Sequence, residues 1–254
     1  MTTYISYNKH RHSNKERTEP GLSHSRYVHL KLLGNHVRRV IDLFIKGKGD
    51  KGVLVDLGCG EMPYKPWIEP YVKKYLGVDI PGNPRADSIV NLETNKCDLP
   101  DGIADFVWSV GVLEHVADTG KYLQECHRLL KKGGKLLLCT HGTWMYHPDP
   151  IDYWRFTSEG LKVTIQRTGF KIEESKGIMG LLPTSLQLYQ DAVLLSLPYA
   201  RLWKTPFCFV MQRLIALSSY FTRKSKTLRA YQDKDACLYF VVAEKIKPDE
   251  LPIL

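Results

Sequence analysis

The sequence predicts an α/β protein: an open, mostly parallel sheet of seven strands with helices on both faces and a helical insertion before the last strand. Three observations carry this. Short apolar, β-rich runs alternate with helical patterns along most of the chain, the signature of a parallel sheet flanked by helices. The first such run, Val53–Asp56, ends in a tight Gly58-Cys59-Gly60 turn. The length of 254 residues suits one large domain, or one domain with an insertion, and is too short for two full α/β domains.

Residues 1–25 are polar and read as loose. Over 27–46, Val28, Leu32, Val37, Val40, Ile41 and Phe44 recur on one helical face and predict an amphipathic helix, closed by a turn-rich break at 48–52. Strands follow at 53–56, 73–79, 88–91, 106–110, 135–140, 170–174 and 236–245. Two helices stand between them. One covers 119–131 and stops at Gly133-Gly134. The other covers 157–168, with Thr157 before its first turn and Gly169 just past its end. The segment 178–225 breaks the rhythm: long, aromatic and apolar, it reads as two or more helices between the last two strands. The expected organisation is a basic N-terminal extension and helix (1–50), a core (51–178), a helical basic and apolar insertion (179–230), and a final strand and tail (231–254).

Composition excludes several classes. Hydrophobic residues make up 43% and charged residues 25% of the chain, so disordered and fibrous chains are out. The N-terminus has no apolar run of the kind a secretory signal needs, and no 18-residue stretch is free of charge, which argues against a spanning helix. The six cysteines form no CxxC pair; they read as free thiols in a reducing, cytoplasmic setting, with no zinc site. The net charge of +9 is uneven. Residues 1–50 and 180–230 each carry a net +6, and the rest of the chain is slightly acidic. Basic flanks steer anionic partners, such as a phosphorylated small molecule or an anionic membrane, or they simply solubilise. Without a dense basic tract or a recognition motif, sequence-specific nucleic-acid binding is not expected.

The chemistry concentrates at Val53–Tyr64, VLVDLGCGEMPY. A strand ending in Asp56 runs into a turn that needs glycine, because the backbone reverses tightly and lets a ligand come close. Nineteen residues after Gly60, a second strand ends in Asp79, where a carboxylate can accept both hydroxyls of a ribose. A dinucleotide site asks for GxGxxG. Here Pro63 takes the third glycine's place, which suits a nucleoside ligand without a pyrophosphate.

Three further stretches stand in order behind this one: GVDI at 77–80, LPDGIADFVWSVGVLEHV at 99–116 and ECHRLLKKGGKLLL at 125–138. Over 51–178 and the final strand, the set resembles class I S-adenosylmethionine-dependent methyltransferases, of the small bacterial type related to methyltransferase domain families 11 and 12. The resemblance implies a Rossmann-like sheet with an antiparallel last strand, S-adenosyl-L-methionine as cofactor, and methyl transfer as activity. It also implies cofactor contacts from Asp56, Gly58, Cys59 and Gly60 at the methionine end and from Asp79 and Ile80 at the ribose. Asn91 and Leu92 fall at the adenine, and Ser109, Val110, Glu114 and His115 at the end of the fourth strand. Many members carry a glycine where Met62 stands; a subgroup carries GCGxxPY and an aromatic, as Pro63, Tyr64 and Trp67 do here.

That subgroup also has an HxxPxDYWRFT stretch after the fifth strand, matched by His147–Thr157. Methyl transfer is an in-line displacement, so the protein mainly aligns a nucleophile, and a hydroxyl nucleophile gains from a base. Candidates for the base are His147 first, then His141, with Asp152 and Asp149 nearby. Tyr64, Tyr153, Trp154 and Arg155 are candidates for holding substrate: aromatic faces for a sugar or base, and a guanidinium for phosphate or carboxylate. Alternatively Trp154 and Phe156 are core, Asp152 and Arg155 pin the loop, and Glu114 and His115 are a buried structural pair. The expected acceptor is an oxygen of a small molecule or glycan, with the resemblance pointing toward polysaccharide or secondary-metabolite pathways. Nitrogen or carbon acceptors, or a non-catalytic cofactor-binding scaffold, are the alternatives. Residues 184–222 interleave apolar side chains with Arg201, Lys204 and Arg213, a pattern compatible with peripheral contact at a membrane face or with a helical cap.

Overall fold

The structure, a computed structural model, describes residues 14–47, 52–196 and 200–246; the first 13 residues, positions 48–51 of the turn-rich break and the chain beyond 246 lie outside them. In chain order the elements are α1 (Asn14–Thr18), α2 (Tyr27–Val40, continued by a π turn over Ile41–Ile45), β1 (Val53–Leu57), α3 (Lys65–Ile68), β2 (Lys74–Asp79), β3 (Ser88–Asn91), β4 (Lys96–Cys97), β5 (Ala104–Val110), α4 (Thr119–Leu129), β6 (Leu130–His141), α5 (Ser158–Gln166), β7 (Phe170–Gly180), α6 (Leu181–Ser196), α7 (Ala200–Lys224), α8 (Lys226–Gln232) and β8 (Ala236–Lys245). The sheet runs β4-β3-β2-β1-β5-β6-β8-β7. The strands from β3 through β2, β1 and β5 to β6 are parallel. The last strand is antiparallel to both its neighbours, as expected. From β1 the chain builds outward to one side and then, from β5, to the other. The carboxyl end of β1 therefore lies at the point where the order reverses, the place where such sheets leave a crevice.

Side chains alternate across the sheet and fill two cores. Leu54, Phe106, Trp108, Leu137, Phe240 and Val242 pack on the face covered by α2 and the inserted helices. Val55, Val107, Leu136, Leu138, Val241 and Ala243 pack on the face of α4 and α5. Because both faces are covered, the strands read as continuous apolar runs. The predicted stripe of α2 is the one that packs: Val28, Val37, Val40 and Ile41 are buried, with Leu32 and Phe44 against the same core. Thr157 caps α5 by accepting from the Gly160 amide at 3.1 Å.

Some elements differ from the sequence reading. An eighth strand, β4, adds two residues antiparallel to β3, too few for any periodicity. α4 stops at Leu129, short of 131, because Leu130 leaves it to pair with Ala104 in the sheet. β7 continues to Gly180, well past 174, because its whole length pairs with β8, with an irregularity between Ile172 and Glu174. The expected loose run 1–25 is placed on the fold from residue 14 onward: Asn14 donates to the Glu61 carbonyl at 2.7 Å.

A polar cluster ties this N-terminal run to the inserted helices. Gln187 and Gln190 of α6 and Gln212 of α7 all direct their amide nitrogens at the Ser25 carbonyl, at 3.0, 2.7 and 2.8 Å. Gln212 also accepts from the Val28 amide at 2.9 Å, and all three glutamines are buried. Replacing one member strands the others' buried groups at about 1–3 kcal/mol each. Gln212→Leu is therefore expected to lower stability by about 2–4 kcal/mol, read as a drop in the urea midpoint at unchanged slope.

Candidate functional site

A cavity of about 320 Å³ opens at the carboxyl ends of β1, β2 and β5. Its floor is the turn after β1. Gly58 has φ +81°, and a Cβ there would lie 2.6 Å from the Val112 side chain, so only glycine fits. The position where many relatives would carry a third glycine, Met62, also has a left-handed backbone, φ 53°. Met62 keeps the conformation at some backbone cost, and its side chain fills the space beside Gly77 in β2, where a Cβ would meet the Met62 methyl at 2.1 Å.

The turn's own amides are spoken for. Gly58 and Cys59 donate to the Val78 carbonyl at 2.8 and 3.0 Å, and Gly60 donates to Asp79 at 2.9 Å. No nest of three free amides remains here for a pyrophosphate, and two carboxylates, Asp56 and Asp79, line the same cavity. Asp79 also accepts from Asn83 at 2.6 Å and from the Ile80 amide at 2.8 Å. A carboxylate has about four lone-pair sites, so it keeps capacity for a ligand hydroxyl. Burial pushes the Asp56 carboxyl up to about 7 against a lowering hydrogen bond from the Tyr75 hydroxyl, with the Asp79 charge adding to the rise. This donor set fits the nucleoside and sulfonium of S-adenosylmethionine: a ribose acceptor, acidic groups suited to positive charge, and no phosphate cradle.

Of the predicted cofactor residues, Asp56, Gly58, Cys59, Gly60, Asp79, Ile80, Leu92, Val110 and His115 line the cavity, and so do Tyr64 and Tyr153 from the substrate set. Burial raises the Cys59 thiol, so it stays protonated. Asn91 lies behind the wall, its side chain accepting from the Glu93 and Thr94 amides. It shapes the turn that presents Leu92, Glu93 and Asn95 to the cavity. Ser109 is buried against the Tyr122 hydroxyl at 2.7 Å, and that hydroxyl also donates to the Leu57 carbonyl. Sequence reasoning missed Tyr122, Asn83 and Arg17. Tyr122 and Asn83 sit in ordinary helix and loop contexts that carry no motif. Arg17 belongs to the run read as loose, yet it reaches the cavity.

Glu114 has no solvent exposure. It accepts from Thr140 at 2.7 Å and lies 2.6 Å from His141 Nδ1. Burial opposes its charge, but the His141 ring, with His115 behind it, holds the carboxyl well below its usual range. Its backbone carbonyl accepts from the Tyr153 and Trp154 amides at 2.8 and 3.2 Å. His147 joins this group: its ring is 4.5 Å from that of His141 and 5.0 Å from that of His115, centroid to centroid. Glu114, His115 and His147 each offer a ligand atom within 4.8 Å of the others. Burial, and then His141, lower His147 to about 4, so it is neutral at neutral pH.

Asp152 and Arg155 hold the loop. Arg155 donates to both Asp152 oxygens at 2.7 and 2.6 Å and to the carbonyls of Trp144, Met145 and Trp154. Asp152 also accepts from the His147 amide at 2.8 Å. Burial pushes Asp152 up, but Arg155 and His147 outweigh it and bring it to about 2. Trp154 donates its indole N–H to the Val116 carbonyl at 2.8 Å, with its ring partly exposed.

Residues 55–138 match the model of a methyltransferase domain. A probable S-adenosylmethionine-dependent methyltransferase of Mycolicibacterium smegmatis is 24% identical over 178 residues, covering 64% of this chain and 66% of that protein, just under two thirds of its length. Solved structures share the fold. A SAM-dependent methyltransferase from Archaeoglobus fulgidus has a TM-score of 0.52 at 16% identity, covering 91% of this chain and 97% of that one. The cyclase SpnF has 0.52 at 16%, covering 84% and 82%. A phosphoethanolamine N-methyltransferase of Haemonchus contortus, bound to phosphomonomethylethanolamine and S-adenosylhomocysteine, has 0.52 at 14%, covering 92% and 59%. The match thus places a methyltransferase domain over residues 55–138, and the solved structures share the fold around it.

The buried histidines set a pH response. Burial lowers His29, His36 and His147 from 6.5, the latter two to about 4. Below pH 6.5 the unfolded chain takes up protons that the folded chain refuses until about 4, so their contribution is present above 6.5 and lost as pH falls. Asp56, raised by burial from 3.8 to about 7, and Asp191, also raised by burial, work oppositely over that window, against these three histidines and His127, which burial also lowers. The urea midpoint is expected to fall as pH drops from 6.5 toward 4. His36→Gln, which lies away from the cavity, should flatten that slope.

Proposed function

We propose that this protein transfers the methyl group of S-adenosylmethionine to an oxygen of a small-molecule or glycan acceptor. The observation that carries the reading is the glycine turn whose amides are internally satisfied, set beside Asp79 and within reach of a histidine-lined edge. When bound, S-adenosylmethionine supplies an electrophilic methyl on sulfur. Asp79 would hold the ribose, the Leu92 and Val90 wall would receive the adenine, and the floor at Asp56 would accommodate the cationic methionine end. Little covalent work falls to the protein; it brings the acceptor into line and excludes water.

His115 lines the cavity on the side proposed for the acceptor; His147 does not line it, and its ring lies 5.0 Å from that of His115. His147 is the proposed base for the acceptor hydroxyl: its ring is neutral at neutral pH, and because burial makes it a weak base it would take the proton only as the methyl transfers. Glu114, Asp152 and Arg155 position it, and the exposed edges of Tyr153 and Trp154 offer stacking faces for a sugar. The basic residues of the flanks suit an acceptor that carries phosphate. The likeness to SpnF in fold alone is a reminder that chemistry lives in the site and not in the sheet. The N-methyltransferase of Haemonchus contortus keeps a nitrogen acceptor as the second reading.

Calorimetric titration tests the cofactor. S-adenosylmethionine and S-adenosylhomocysteine should bind and a nicotinamide dinucleotide should not; silence from both adenosyl ligands overturns the reading. Asp79→Ala should weaken the adenosyl ligands by about 10- to 100-fold, with an unchanged affinity removing Asp79 from the site. With the acceptor identified from phosphorylated sugars and amines, His147→Ala should lower kcat by about 100-fold or more while cofactor affinity holds. Transfer to amines alone would move the assignment to nitrogen.

A further inference from the structure

Helix α7 has its polarity reversed. Gln212, Ser218, Ser219 and Thr222 face inward and are buried, together with Cys208, Met211 and Ile215. The buried hydroxyls return to their own helix: Ser218 and Ser219 donate to the Ile215 carbonyl at 2.8 and 2.9 Å, and Thr222 to that of Ser218 at 2.9 Å. The outward side carries Phe209, Val210, Leu214, Leu217, Tyr220 and Phe221, each between 44% and 57% exposed. Their spacing of three and four residues makes one continuous apolar stripe over more than three turns. A soluble helix puts such a stripe inside. Contiguous exposed apolar surface on this scale marks an interaction site.

The charge around the stripe says what covers it. From 192 to 232 the chain contains seven basic residues and no acidic one. Arg213 stands in the stripe with its guanidinium over the Phe209 ring at 4.5 Å, and Lys224 over the Tyr220 ring at 5.7 Å. Lys226 and Arg229 of α8 continue the basic rim beside exposed Leu228 and Tyr231. Two-fold pairing with a second copy would set this cationic surface against itself with no carboxylate to answer it. An anionic lipid surface answers both features: the aromatic and aliphatic side chains enter the headgroup boundary while the basic groups stay at phosphate level. No helix among the described residues is long and apolar enough to cross a membrane, so the contact is one of lying on the surface.

We propose that the outward face of α7, with the basic rim of α8, docks the protein peripherally on anionic membranes. This inference does not depend on the methyl-transfer reading.

Flotation of the full chain with vesicles tests it. The protein should float with vesicles of phosphatidylglycerol and phosphatidylcholine in equal parts, should stay behind with pure phosphatidylcholine, and should be released by high salt. Leu217→Glu should abolish flotation. The double variant Arg213→Gln with Lys224→Gln should weaken partitioning by about tenfold or more. Both changes lie on the exposed face, and an unchanged urea midpoint confirms folding. No flotation of the unaltered protein overturns the proposal, as does flotation indifferent to both substitutions. A dimer in solution that Leu217→Glu dissociates, in a protein that ignores vesicles, would assign the stripe to a second copy instead.

Discussion

A single buried carboxylate organises the edge of the sheet where ligands gather. Glu114 has no contact with solvent, and an ionised carboxyl in that position is tolerable only when it is fully paired. Its pairing reaches into three parts of the chain at once. The side chain takes Thr140 and His141 at the end of β6. Its backbone carbonyl takes the amides of Tyr153 and Trp154. The residue itself sits in the turn that follows β5. The sheet thus hands its register to the 142–157 loop through one residue, and the loop then closes on itself through Arg155 and Asp152. The histidines at 115, 141 and 147 converge beside it, His141 on the carboxylate itself, His115 against the Ile151 carbonyl and His147 against Met145 and Asp152.

The glycine turn makes a complementary statement about the ligand. Tight strand-to-helix turns in sheets of this kind commonly aim free amides at phosphate. Here the Val78 carbonyl and Asp79 consume the amides of residues 58–60, and the remaining decoration of the cavity includes carboxylates. The turn itself therefore offers no cradle for an anion, and the lining around it mixes these carboxylates with the cations Arg17 and Lys121. Met62 belongs to the same design: held in a left-handed conformation that suits glycine, it plugs the space that Gly77 leaves open in β2. The sequence difference at 62 is therefore compensated across the turn, one large side chain facing one absent side chain.

Much of the fold was legible because it rests on local signals. Strands buried on both faces announce themselves as apolar runs, and α2 and α5 carry a clean stripe and a Thr cap. What was missed depends on tertiary pairing. Two residues of β4 cannot show a period, and the second half of β7, Ser175–Gly180, has no strand pattern of its own and is extended because β8 is there to pair with. The N-terminal run looks solvated in sequence, yet Asn14 is tied to the Glu61 carbonyl and Ser25 to the glutamine cluster. The cofactor end of the candidate site was visible in the GCG turn and Asp79, which act through backbone geometry at fixed spacing. The catalytic edge was visible only as a collection of residue types. Which of them face the cavity and which support the loop depends on the paths of Arg155 and Glu114, and no spacing rule encodes those.

The inserted helices show why composition misleads in such a segment. A stretch of apolar residues interleaved with basic ones reads either as a helical cap over the sheet or as a face for a membrane surface. In α7 the core-facing side mixes Cys208, Met211 and Ile215 with polar residues satisfied by bonds to its own carbonyls and to the N-terminal run, while many of the larger apolar side chains face out. Holding Gln212 inside requires partners at Gln187, Gln190, Ser25 and Val28, and that network fixes the helix rotation. Once the rotation is fixed by hydrogen bonds, the apolar stripe has no freedom to turn inward. The same polar tie that anchors the N-terminal run beside the cavity therefore presents the hydrophobic, basic face of α7 to whatever lies outside.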